Sequence, residues 1–264
     1  MLVTGLCLPA ASFAAGEARV SEFDCVIDPA KVVRLGSPVV GILSEVLVER
    51  GDIVKKGQIV AKMDQDVEYV SVDLERLRAQ STAEIDAQVS RNELTEKELN
   101  RVRTLLKTGA ATQQRLDDLT AQLQVGMQEL QRLKLQQKLA QLTLKKSETL
   151  LDQRILRSPI DGVVQQRVLS AGEFVNQQSH ILVIAQLDPL LVETFLPVEH
   201  YRRIGKGQTA RVSIRGAIEG AYDATVTVVD RVFDAASKTF GVRLALRNQD
   251  YALPAGQVCR VAFR

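Results

Sequence analysis

Apolar residues recur along this chain with two periods, and the switches between them mark its parts. Residues 39–63 alternate and cluster β-branched residues around two turn signals, Arg50-Gly51-Asp52 and Lys55-Lys56-Gly57-Gln58, which predicts short strands. From residue 66 to 107 there is neither Pro nor Gly. Apolar or small positions recur there at Val70, Leu74, Leu77, Ser81, Ile85, Gln88, Leu99, Val102 and Leu106, which predicts one helical stripe. The same spacing returns at Leu116, Leu119, Leu123, Leu130 and Leu133, then at Leu135, Leu139 and Leu142 with a phase shift that reads as a stutter. Thr108-Gly109-Ala110-Ala111-Thr112 supplies the turn between two helices over residues 66–107 and 112–153, with Gly109 at a helix end and Thr112 as the next cap. At 1.5 Å per residue each helix would be roughly 60 Å long. Arms of equal length return the chain to its start, so Asp64 and Ser158 are expected to be neighbours. Polar Gln88, Asn92, Thr95, Gln137 and Ser147 interrupt the seam, so lateral neighbours and self-assembly are expected.

The flanks of this helical insertion repeat one another. Ser37-Pro38-Val39-Val40-Gly41-Ile42, leading to Gly51-Asp52-Ile53-Val54, returns about 121 residues later as Ser158-Pro159-Ile160-Asp161-Gly162-Val163, leading to Gly172-Glu173-Phe174-Val175. The second copy replaces the Lys-Lys-Gly turn with Asn176-Gln177-Gln178-Ser179. The two copies, 34–65 and 154–187, would form one flattened β-sandwich like the carrier domains that hold biotin or lipoate, split by the helical hairpin of residues 66–153. Beyond Asp188-Pro189, apolar segments at 190–196, 209–214, 224–229, 240–246 and 258–263 are spaced by turns, with a helical signal only at 198–204. This predicts a small antiparallel β-barrel over 188–264. The fold class is therefore α+β and multidomain, with residues 15–33 expected near the barrel.

Composition narrows the function. The 264 residues are 45% apolar and 25% charged, as in a folded domain, and a net charge of +2 with four Tyr and no Trp is no nucleic-acid footprint. Residues 1–14 are apolar and small, and Ser12-Phe13-Ala14 suits cleavage before Ala15, so a secretory leader is expected, with its true start upstream because a basic n-region is missing. A buried N-terminal strand is the alternative. Thr4-Gly5-Leu6 before Cys7 matches a lipoprotein box poorly. After cleavage Cys25 and Cys259 remain, in a compartment where a disulfide would persist; the alternative is two separate buried thiols.

The order of half-carrier, long helical hairpin, half-carrier and barrel resembles the membrane fusion proteins, the periplasmic adaptors of bacterial tripartite efflux and secretion systems. The residues that carry the likeness are Gly41-Ile42, Val46, Gly51-Asp52, Val54-Lys55-Lys56-Gly57-Gln58, Ser158 to Val163, Gly172, Gly207-Gln208, Asn248 and Leu253-Pro254-Ala255-Gly256. In the resistance-nodulation-division branch the hairpin tip contacts the outer-membrane channel through an Arg, a Leu four residues on and a Ser seven further. Arg101, Leu105 and Thr112 hold those spacings here, with Thr in place of Ser. The plainer reading makes Arg101 a solvated charge, Leu105 a core position and Thr112 an N-cap. The resemblance implies a periplasmic, inner-membrane-associated ring of six copies linking an inner-membrane transporter, of the resistance-nodulation-division type, to an outer-membrane channel. It also implies that a further membrane-proximal domain is absent or vestigial, since only residues 17–33 and 258–264 remain to build one.

Other readings are an adaptor of an ABC-type secretion system or an envelope scaffold, and a biotin or lipoyl carrier. The carrier reading rests on Val60-Ala61-Lys62-Met63, but in true carriers the modified Lys sits on a tight hairpin and the second half follows at once. No cofactor is expected. Enzymatic chemistry has little to work with, because His180 and His200 lack partner patterns and no nucleophile, phosphate-loop or metal-protease motif occurs. Dispersed Met and Cys residues make a soft-metal site improbable.

Overall fold

The computed structural model describes residues 22–214 and 218–263. The expected leader over residues 1–14 and Cys7 lie outside them. The chain forms two compact units, Arg34–Val183 and a second made of Ile184–Arg264 with the described residues up to Val33. In chain order the elements are β1 (Glu22–Gly36), β2 (Gly41–Val46), β3 (Ile53–Val54), β4 (Ile59–Met63), α1 (Asp66–Gln80), α2 (Ala83–Lys107), α3 (Gln113–Asp152), β5 (Ile155–Arg157), β6 (Gly162–Arg167), β7 (Phe174–Val175) and β8 (His180–Pro197). A 3-10 helix (Val198–Arg203) then leads to β9 (Thr209–Ile214), β10 (Gly220–Val229), β11 (Thr239–Leu246) and β12 (Gln257–Phe263).

In the first unit the repeat is written into the backbone hydrogen bonds. Gly51 N donates to Val164 O (2.8 Å) and Gly172 N to Leu43 O (2.7 Å), while Leu43 N donates to Glu173 O and Val164 N to Asp52 O, both at 2.9 Å. Each bond is its counterpart moved on by one repeat, so every half completes the other. Ser37 Oγ and Ser158 Oγ also close the same local turn, donating to Val39 O and Ile160 O at 2.6 Å. Gly51 and Gly172 take φ of 97° and 88°, a left-handed turn that a Cβ would oppose. The diverged turns keep their shape by different chemistry: Gln58 Oε1 accepts from Lys55 N, whereas Asn176 Oδ1 accepts from Gln178 N and Ser179 N. β5, β4, β2 and β7 form one sheet, and β3 and β6 pair on the other side with the start of β8. Leu43, Val54, Val60, Met63, Val175 and Ile181 are fully buried in this unit.

The helical stretch corrects the sequence reading in three ways. The first arm is not one helix: Ser81 adopts an extended backbone (φ −67°, ψ 118°) and ends α1, and α2 restarts after Thr82, whose hydroxyl turns to Asp86 Oδ2 at 2.8 Å. The stutter is likewise absent from α3. Its sheltered positions run Leu116, Leu119, Leu123, Gly126, Leu130, Leu133, Gln137, Ala140, Leu144, Ser147 and Leu151, an unbroken heptad seam with Glu129 sheltered beside it. Leu135, Leu139 and Leu142 lie opposite that seam, each more than half exposed, as do Val70 and Leu77 on α1, while Leu74 is 47% exposed. Leucine spacing misled because small and polar residues fill the seam at those heights. The discontinuity is in the first arm, where α1 shelters Glu68, Val72, Glu75 and Ala79 and α2 resumes at Ile85 and Gln88, one residue short of the repeat. The break at residues 81–82 absorbs that slip.

The third correction concerns the base. Met63 N donates to Arg154 O (2.9 Å) and Arg154 Nη1 to Asp64 O (2.9 Å), whereas Ser158 N meets Gln58 O (2.9 Å). Asp64 therefore neighbours Arg154 rather than Ser158, because β4 and β5 run antiparallel with Ile59 opposite Arg157. Along the arms, Arg154 pairs with Glu68 (2.5 Å), Arg76 reaches Glu148 (4.0 Å) and Gln88 Nε2 donates to Gly126 O (3.3 Å). Rising numbers on one side meet falling numbers on the other, so α3 runs antiparallel to α1 and α2.

In the second unit, strands follow the order β1-β12-β9-β10-β11-β8, and β1 also pairs with β8, which closes six strands into a barrel. β1 belongs to the barrel itself, where the sequence placed residues 15–33 only near it. Alternate residues of β11, Phe240, Val242, Leu244 and Leu246, point inward and are buried, as a strand with one wet face requires. Asn248, 5% exposed, ties the connection before β12: its amide donates to Leu187 O and Leu253 O and its carbonyl accepts from Leu253 N. Gly256, at φ 83°, then donates to Ile27 O. The Asn248 and Leu253 to Gly256 motif is thus a barrel clasp.

Candidate functional site

The turn joining α2 to α3 brings the candidate residues Arg101, Leu105 and Thr112 to one end of the helices. α2 closes when Thr108 N and Ala110 N converge on Leu105 O (3.1 and 2.9 Å), and Gly109, at φ 73°, donates to Leu106 O. That left-handed residue satisfies carbonyls a helix end would orphan. Thr112 Oγ1 accepts from Arg115 N (3.3 Å) and starts α3 as an N-cap, so its lone pair serves the helix while its proton stays available. Arg101 and Leu105 lie one helical turn apart on one face of α2. Leu105 is 40% exposed and not a core position, and the exposed Arg101 guanidinium has no partner among the described residues. Beneath them Leu99 and Leu119, 2% and 1% exposed, hold the seam. The geometry offers a donor fork, an apolar side chain and a hydroxyl, which suit carbonyls or carboxylates of a protein surface.

Two supporting features escaped the sequence reading. Gln88 Nε2 and Asn92 Nδ2 both donate to Gly126 O, at 3.3 and 3.1 Å, and a Cβ on Gly126 would sit 2.2 Å from Asn92 Oδ1. These interrupting polar residues therefore fix the register of α2 against α3 rather than merely weakening the seam. The signal was the lone Gly in a helix otherwise free of it. At the base, the Arg154 to Glu68 pair is about four-fifths sheltered on each side, which the sequence hid because the partners lie 86 residues apart.

The remaining candidates are placed as follows. Lys62 is inside β4, opposite Glu45 of β2 and paired with its carboxylate at 3.0 Å, in a strand and not on a hairpin turn. Cys25 and Cys259 stand directly opposite one another on β1 and β12, buried, with Cα atoms 4.9 Å apart and sulfurs at 2.14 Å. Among the described residues no group of three His, Cys, Asp or Glu is placed to hold a metal, and no helix is long and apolar enough to cross a membrane.

Two family descriptions match the sequence: a CzcB-like barrel-sandwich hybrid domain over residues 31–186 and a CusB-like beta-barrel domain over residues 192–264. The macrolide export protein MacA of Yersinia pestis is 25% identical over 253 residues, 90% of this chain and 66% of the relative. The cobalt-zinc-cadmium resistance protein CzcB of Cupriavidus metallidurans is 25% identical over 212 residues, 80% of this chain and 38% of the relative. The chain thus spans less than two thirds of the length of these curated relatives. The crystal structure of MacA from Actinobacillus actinomycetemcomitans superposes with a TM-score of 0.76 at 21% identity, covering 92% of this chain and 78% of that one, a likeness of fold.

Proposed function

This chain belongs to the membrane fusion proteins, of the CzcB-like barrel-sandwich hybrid type, and we propose that it works as a periplasmic adaptor of a tripartite efflux system. In this reading α1 and α2 are one arm and α3 the other of a hairpin that reaches an outer-membrane channel. The barrel side engages an inner-membrane transporter, which supplies the energy, and copies of the chain assemble as a ring. The observation that carries the proposal is the exposed turn where Arg101 stands unpaired beside half-exposed Leu105 and Thr112. Arg101 as a solvated charge and Thr112 as an N-cap also satisfy the plainer reading, and it is the uncovered Leu105, which that reading makes a core position, that favours a docking end. The relatives' names speak of macrolides in one case and of cobalt, zinc and cadmium in the other, which fits an adaptor that leaves substrate choice to its transporter.

The test is photo-crosslinking in cells from Leu105. Capture of an outer-membrane channel is the expected result; capture only of neighbouring copies would assign the turn to assembly and remove the docking role. Arg101→Asp should abolish transport while leaving the melting temperature unchanged, and full transport would strike Arg101 from the site. We further propose that Cys25 and Cys259 are bridged in an oxidising periplasm. Intact mass before and after reduction should differ by two hydrogens, and an unchanged mass would mean free thiols.

A further inference from the structure

The barrel carries a second surface, on the loop between β10 and β11, residues 230–238. Asp234 Oδ1 accepts from Ala236 N (2.8 Å) and Ser237 N (3.1 Å), and Asp234 N donates to Thr239 O (2.9 Å), so the loop has a set shape. Phe233 roots it, its ring edge-on to Tyr201 at 4.9 Å and 6.1 Å from Phe240 of the core. That anchorage pushes the neighbouring Val232 outward to 84% exposure, beside Phe195 at 66%. Phe195 and Val232 line one shallow depression.

Exposed cations lie on this loop and on and after the 3-10 helix whose Tyr201 packs against it. Lys206 and Arg231 share a depression with Tyr201; Arg202 and Arg203 follow Tyr201 on the 3-10 helix; and Lys238 accepts, through its carbonyl, the Val198 N–H at 3.1 Å. All are exposed, and none has an ion-pair partner among the described residues. The nearby carboxylates, Asp230 and Asp234 in the depression with Phe195 and Val232 and Glu199 on the 3-10 helix, number three against these five cations. Asp234 caps the loop, Asp230 lies against Gly241, where a Cβ would be 2.3 Å from its Oδ2, and Glu199 is 3.6 Å from His200.

We propose that this end of the barrel docks on an anionic bilayer surface, with Val232 and Phe195 entering the interface and the exposed Lys and Arg side chains meeting lipid phosphates. A projecting valine and a flat phenylalanine offer too little apolar area for a stable protein interface, which needs a packed core of aromatic anchors. A small apolar wedge with several unpaired cations instead suits a lipid interface, where attraction sums over charges and needs no fixed partner geometry. The inference stands on the barrel alone and survives failure of the adaptor reading.

The test is co-flotation of the full chain with vesicles of phosphatidylglycerol and phosphatidylcholine, against vesicles of phosphatidylcholine alone. Binding to the anionic vesicles only, weakening as salt rises, is expected. Val232→Asp and the pair Arg231→Glu with Lys238→Glu should each weaken it by about tenfold or more without moving the melting temperature, since all three side chains are exposed. Equal partition onto both vesicle types, no binding to either, or wild-type binding by the variants would overturn the proposal. Loss by these variants of capture of an inner-membrane protein, with no vesicle binding by the parent chain, would overturn it too and make the surface a protein interface.

Discussion

The barrel and the helical arms solve burial in opposite ways. The barrel wraps one contiguous core, in which Phe240, Leu190, Leu196, Val212, Val226 and Leu244 are buried to within 1%. Among the described residues the arms bury only Val72, Ala79, Gln88, Leu99, Leu119 and Leu133, at 1% to 7% exposure and strung singly along the seam, while Leu135, Leu139, Val70 and Leu77 stand in solvent. A closed sheet has no edge left to pair and encloses its inner face, whereas a two-row helical seam covers only one stripe per helix. The barrel's core is therefore self-contained, whereas the arms leave large apolar side chains in solvent along their length.

The sharpest way to break this comparison is Phe240→Ala, which should cost about 3–5 kcal/mol and lower the barrel's melting transition far more than any single change in the arms. An equal loss from Leu133→Ala would erase the distinction. Next, Gly126→Val should drive a side chain into Asn92 and cost about 1–3 kcal/mol by overpacking. Pairing it with Asn92→Ala should restore part of that loss in a double-mutant cycle read by denaturant titration. Arg154→Ala strips Glu68 of its partner at the sheltered base and should cost about 1–2 kcal/mol, seen as faster amide exchange at the start of α1. Leu139→Ser should change stability by no more than about 0.5 kcal/mol, because the residue is 56% exposed and off the seam. A loss several times larger would reinstate the stutter.

The smallest effect concerns acid. The backbone N–H groups of Ser237, foremost, and of Ala236 hold the Asp234 carboxyl below its ordinary range. A depressed folded value means that the carboxylate's support of its loop is present above the ordinary carboxylate range and lost as pH falls through the folded value. Protease nicking within residues 230–238 should accordingly rise in strong acid, and Asp234→Asn should show the same sensitivity at neutral pH.

How legible this was in the sequence varied with the kind of signal. Turn glycines and the serine-proline repeat read correctly because one residue type serves one backbone need, as Gly51, Gly172 and Gly109 demonstrate with their positive φ. The seam read incorrectly where leucine was taken as the marker of burial. Gln137 and Ser147, read as polar interruptions of the seam, do lie in it, but Ala140 and Leu144 continue the same stripe where Leu139 and Leu142 were expected, and a partner helix distant in sequence leaves no trace in local periodicity. The break at Ser81-Thr82 carried no Pro or Gly to announce it. At the turn, Thr112 as a cap was readable from its place before a helix, while the solitary state of Arg101 required knowing what does not stand beside it.

The interleaved sandwich has a consequence for the order of folding. Leu43 waits for Glu173 and Gly51 for Val164, so neither half can close alone, and these contacts raise the contact order of a small β-domain. Asp64 and Arg154, 90 residues apart, would impose a long loop-closure penalty if the intervening chain were flexible. Helices that zip first bring those ends together and reduce the effective loop to a few residues. By the logarithmic law that shortening, from 90 residues to about ten, is worth about 2 kcal/mol of closure entropy. The helices inserted in this domain would thus also serve as the splint on which its two halves are assembled.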